Sequence, residues 1–299
     1  MPLPVEFPSK MPEDQARKLL KKNLCGILGG ACQAVLFNPW DRALYLGAFN
    51  GRPFLHKDNF HKPFTGLYQT IFHRSLSSGI YFPLEDTISS LYFPYFNIDK
   101  KEKSVKSAFG HWMVGVFSGA INGMVINPVA AVKFNFWGKV NCGSETFFST
   151  AKDMLRKGGL RPFLVGINAT IIRDVIFGGT FTLFRHNMPL VKSENNLDRG
   201  QIAINMISGL VATVLSSPMN YVRNIQYNTP PSEITQSVMA ILRSLVSEVR
   251  VAWSLHGISK SARILSFKLR IGWGTLRVGC GMAIGSYIYD ALVKRIVPE

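Results

Sequence analysis

GILGGACQAVLFNPWDRAL, residues 26–44, is an apolar segment notched by glycines and carrying a proline near its far end. The chain writes it twice more, as GVFSGAINGMVINPVAAVK over 115–133 and NMISGLVATVLSSPMNYVR over 205–223. The prolines, Pro39, Pro128 and Pro218, are 89 and 90 residues apart, and a glycine stands nine residues before each: Gly30, Gly119 and Gly209. Thirteen residues before stand Gly26 and Gly115, with Asn205 as the exception. With 26 glycines and 16 prolines in 299 residues, both near ordinary usage, this register does not arise three times by chance. A repeat of this length decides the architecture before any local motif does.

The composition points to a membrane. The chain is 47% hydrophobic and only 17% charged, yet its formal net charge is +16. Its bases gather between the apolar stretches, as in Lys18, Lys21 and Lys22, the group around Lys100 to Lys106, and Lys260, Arg263, Lys268 and Arg270. A basic rim around apolar spans suits anionic lipid headgroups, whereas no finger motif or aromatic stacking platform supports nucleic acid. Cys25, Cys32, Cys142 and Cys280 have no metal-ligand spacing and read as free thiols. Residues 1–22 read as neither secretory signal nor transit peptide, so an organelle address would be internal. Histidines and acids show no metal spacing, nucleophile elbow or phosphate loop, so neither enzyme, metal nor cofactor is expected.

Six spans follow, at about 23–50, 67–96, 107–138, 164–191, 199–228 and 266–296. Each exceeds the roughly 20 helical residues that cross a hydrocarbon core of ~30 Å. Charges interrupt the second, fourth and sixth near their middles, and such residues persist where they face a bundle interior or a water-filled path. The odd spans carry the prolines, which kink a helix, and the glycine notches let neighbours approach closely. The even spans repeat with spacings of 100 and 104, as in His73, Arg173 and Arg277. Each connection inside a repeat is therefore longer than the last. Residues 144–158 and 233–249 can form amphipathic surface helices, whereas 51–64 has room for a turn or two.

Those features resemble the mitochondrial carrier family over nearly the whole chain. Its odd helices carry P-x-[DE]-x-x-[KR], which stands here as PWDRAL, PVAAVK and PMNYVR. The resemblance implies an all-α membrane protein with six transmembrane helices in three pseudosymmetric repeats (20–98, 105–193 and 198–297), forming a single carrier domain over 1–299. It implies a multi-pass, monomeric protein of the mitochondrial inner membrane, both termini on the intermembrane side, with an anionic lipid such as cardiolipin as partner. It further implies a matrix gate in which Asp41 can pair with Lys133. Ala130 leaves Arg223 without its acid, and Asn220 faces Leu44 without charge, so the gate should open easily. The cytoplasmic motif is weaker: Asp86 lacks a base at Ser89, and His186 replaces an acid. FTG and LVG remain of the motif opening the even helices, and Arg270 takes the glycine's place in the third.

Aligned with the family's contact points, the substrate residues are His73, Arg173 with Asp174, and Arg277. The physical reading names the same groups, since they lie nearest the centres of the even spans. Guanidiniums favour a carboxylate through bidentate hydrogen bonds, and Asp174 can receive a cationic group. Arg173 and Asp174 can equally satisfy each other, and His73 can be a packing histidine. The expected cargo is a small anionic or zwitterionic metabolite, a carboxylate or amino acid, moved by alternating access. The alternative is a carrier-derived scaffold or receptor that moves nothing.

Overall fold

In a computed structural model of the chain, residues 13–99, 104–138, 146–188, 197–230 and 233–297 are described. The six expected spans become α1 (Glu13–Phe49), α2 (Leu67–Tyr95), α3 (Val105–Gly138), α6 (Ile167–Asn187), α7 (Leu197–Tyr227) and α9 (Trp273–Ile296). Between them lie α4 (Phe147–Gly158), α5 (Arg161–Leu164) and α8 (Val238–Lys268). The long helices close into a ring in which α1 packs on α2, α2 on α3, α3 on α6, α6 on α7, α7 on α9 and α9 back on α1. We call the end that carries α4, α5 and α8 the loop end, and the opposite one the terminal end.

Pro39, Pro128 and Pro218 lie inside α1, α3 and α7. The glycine notches face the even helix of their own repeat. A Cβ on Gly30 would stand 2.4 Å from the Arg74 carbonyl oxygen, and one on Gly119 would stand 2.1 Å from that of Asp174. The third contact is looser, with Gly279 and Met282 at 3.3 Å from a Cβ on Gly209. Backbone therefore rests on backbone in the first two repeats.

Length and apolarity suffice for crossing a membrane in three stretches, Val105–Phe136, Arg161–Asn187 and Gly200–Tyr227. Helices α1, α2 and α9 are not among these stretches, and they carry Asp41, Arg74 and Arg277 respectively. These three side chains face one another inside the ring, where charge is tolerated.

The sixth span needs correction, since α9 begins seven residues after the expected start at 266. The chain turns there, with Arg270 at φ 55° and Gly272 at φ 105°. Residues before the turn belong to α8, which is longer than the expected surface helix and breaks at Gly257 (φ 79°, ψ 178°). Glu248 and Lys268 form an ion pair across that break. Twenty residues of straight helix would part them by about 30 Å, so the chain folds back at Gly257. The second surface helix, α4, starts where Thr146 and Ser149 form a reciprocal capping box. The first connection holds only a 3₁₀ turn, Lys57–Phe60. Cys142, residues 100–103 of the link at 97–106 and residues 191–196 of the link at 191–200 lie outside the described residues. Of the remaining cysteines Cys25, Cys32 and Cys280, none is disulfide-bonded.

Candidate functional site

A cavity of about 280 Å³ occupies the centre of the ring. Its wall contains His73, Arg173 and Asp174, as the even-helix spacing predicts, but not Arg277. Five cationic side chains, Arg74, Lys133, Arg173, Arg223 and Arg270, share that wall with two carboxylates, Asp41 and Asp174. A surplus of cations in a low-dielectric ring attracts an anion far more strongly than the same charges would in water.

Local structure sets these positions. Because the carbonyls of Arg74 and Asp174 rest on the notches of Gly30 and Gly119, their side chains are held at one depth. Arg173 pairs with Asp174 itself, as the more conservative reading of those neighbours allows. The other Asp174 oxygen is buried and lies 3.0 Å from where a Cβ on Gly123 would stand. His73 sits among four cations whose charges act on it, Lys133, Arg74, Arg223 and Arg173.

Arg277 has a different place from the one its alignment suggests. Only 2% exposed, it grips Asp41 through two contacts of 2.5 Å and lies 4.8 Å from the centre of the Phe37 ring. Arg74 approaches the same carboxylate at 3.5 Å. Lys133, the expected partner of Asp41, is near enough for its charge to act there. The gate acid is thus gripped by two arginines of the even helices, which joins the gate to the level of the contact points. Arg223 donates to Asn220 Oδ1 at 2.7 Å and has no carboxylate partner among the described residues.

The residues before the prolines escaped the sequence reading. Asn127 Nδ2 donates to the carbonyls of Phe163 and Val165 at 2.9 and 3.1 Å, and its Oδ1 accepts from Thr170 and Tyr227 at 2.8 and 2.7 Å. This buried group ties α3 to α6 and α7 at the loop end. Asn38 does the corresponding work in repeat one, donating to the Pro63 carbonyl at 2.9 Å. The signal was present as a repeated Asn-Pro dipeptide. Tyr227→Phe removes one buried hydrogen bond while Thr170 still satisfies Asn127. A cost of about 1 kcal/mol is expected, read by denaturant or thermal unfolding of the purified protein.

At the terminal end the motif reading is corrected by one residue. Glu85, not Asp86, turns inward and stands 3.7 Å from both Arg185 and His186 of α6. Asp86 pairs outward with Lys22 at 2.8 Å. Phe82 and Tyr289 stack there with ring centres 4.7 Å apart. Trp40 and Trp273 cluster with Phe54 at the loop end. Gln33 is buried against Gly281 and Gly285 of α9, and Asn122 reaches Ser77 at 3.5 Å, while Ser118 bonds back to its own helix.

A family described as "Mitochondrial carrier protein" matches residues 104–191, the second repeat. The mitochondrial 2-oxodicarboxylate carrier 1 of Saccharomyces cerevisiae is 26% identical over 180 residues, covering 58% of this chain and 57% of that protein. The human mitochondrial glycine transporter is 23% identical over 226 residues, with 69% and 71% covered. Mitochondrial glycine transporter B of Danio rerio is 24% identical over 269 residues, with 82% and 86% covered.

Proposed function

We propose that this chain, a divergent member of the mitochondrial carrier family and so a solute carrier rather than an enzyme, moves a small carboxylate or amino acid by alternating access. The observation that carries the proposal is the central cavity, where five cations outnumber two carboxylates. A scaffold would gain from replacing those buried charges by apolar residues. Arg173, Asp174 and His73 would meet the cargo directly, and Arg277 would do so once Asp41 releases it. Movement about the prolines of α1, α3 and α7 would open the loop end, where Asp41, Lys133, Asn220 and Arg223 form the gate. We place the protein in the mitochondrial inner membrane as a monomer. Its single domain would comprise repeats 20–98, 105–193 and 198–297, and its basic rim would hold cardiolipin or another anionic lipid. The relatives' names, one a 2-oxodicarboxylate carrier and others glycine transporters, are in keeping with a small carboxylate-bearing cargo.

The test is uptake into liposomes containing cardiolipin and the purified protein, using labelled amino acids, keto acids and dicarboxylates. Saturable uptake of at least one class is expected, and Arg173→Gln should lower it about tenfold or more, the effect of losing a charge-assisted bidentate contact. A well-folded protein that takes up none of them would instead be the scaffold.

A further inference from the structure

Where the gate ring lacks its acid at Ala130, the structure keeps the base, Arg223. Arg223 is 8% exposed and faces the cavity, and its Nε is buried without an acceptor among the described residues. Its guanidinium lies 5.7 and 5.6 Å from the ring centres of Phe134 and Tyr227, and it donates to the neutral Asn220. The family acid two residues after Pro128 is replaced by Ala130, which is buried in the same cluster as Tyr227. Asp174 acts on Arg223 only through space, and no carboxylate bonds to it among the described residues; a buried guanidinium left so is costly, and this wall is poised to take an anion.

Arg270 supplies a second, independent observation. Repeats one and two place glycines at the corresponding position, Gly66 at φ 75° and Gly166 at φ 74°, whereas Arg270 holds φ 55°. A non-glycine residue in the left-handed region is strained, and strain of this kind gathers at functional sites. What the arginine gives in return is a cation in the cavity wall, close enough for its charge to act on Arg223.

We infer that Arg223 and Arg270 form an anion subsite at the loop end of the cavity, which takes the second carboxylate of a dicarboxylate whose first carboxylate meets Arg173. The ligand supplies the negative charge that Ala130 and Asn220 lack. This rests on the transport reading above and narrows its substrate class. A monocarboxylate or a simple amino acid offers one anionic group and leaves Arg223 bare.

The experiment measures melting of the full-length protein in detergent against acetate, glycine, malonate, succinate and glutarate, with apparent Kd taken from the concentration dependence. At least one dicarboxylate should bind about tenfold tighter than acetate, as an added bidentate, charge-assisted contact implies. Arg223→Gln and Arg270→Gly should each bring that ratio to within about threefold. Ligand-free Arg270→Gly should melt at or above the unsubstituted protein, because glycine removes the backbone strain; this variant keeps the test decisive if Arg223→Gln fails to fold. Acetate or glycine binding as tightly as every dicarboxylate would overturn the subsite and leave the transport reading standing. The subsite also falls if the ratio survives both substitutions, or if acetate with inorganic phosphate matches a dicarboxylate. Should none of the five compounds raise the melting point, the transport reading falls together with the subsite.

Discussion

Asp41→Asn is expected to destabilise the protein by about 3 kcal/mol, because it leaves a buried guanidinium without its carboxylate. Arg277 is 2% exposed and cannot shed its charge by deprotonation. Its two contacts to Asp41, at 2.5 Å each, join α9 to α1 and thus the third repeat to the first. Arg74 at 3.5 Å would lose the same partner. The gate motif by itself leads one to expect a single conventional pair with Lys133 and an easily opened end. The structure instead braces the acid from two even helices and adds the Asn127, Thr170 and Tyr227 group below it. The measurement is a double-mutant cycle on thermal unfolding with Asp41→Asn, Arg277→Gln and both together. The double variant should recover part of the loss, with a coupling on the order of 1–3 kcal/mol. Additive single effects would mean that the pair does not hold the ring.

Gly119→Ala is expected to be worse, at about 3 kcal/mol or more, since overpacking against backbone has no side chain to yield. The added Cβ would stand 2.1 Å from the Asp174 carbonyl oxygen and 2.7 Å from its carbon. Helices α3 and α6 would have to part, which also shifts Arg173 and Asp174 in the cavity wall. The control lies in α1. A Cβ on Gly29 would meet nothing nearer than Ile288 at 3.8 Å. Gly29→Ala should therefore be neutral, or stabilising by up to about 1 kcal/mol through helix propensity. Expression and melting of the two variants side by side would check this. Equal tolerance at both positions would mean that the notch is not a packing device.

Legible in the linear sequence were the order of the six spans, the place of the prolines and the close approach allowed by the glycine notches. These follow from periodicity and from residue types with narrow backbone roles, which act locally and therefore show in a linear pattern. It also placed His73, Arg173 and Asp174 in the cavity wall, because ionisable groups at mid-span have few places to go. Which charge pairs with which depends on the closed ring. Arg277 and Asp41 are 236 residues apart, and which of several arginines reaches one carboxylate depends on helix rotation and depth, which spacing does not encode. The choice of Glu85 over Asp86 was likewise a matter of rotation, since neighbouring residues on a helix point about 100° apart. The left-handed turn at Arg270 was legible as a missing glycine. That its guanidinium shares the cavity wall with Arg223 emerged only once the ring had closed.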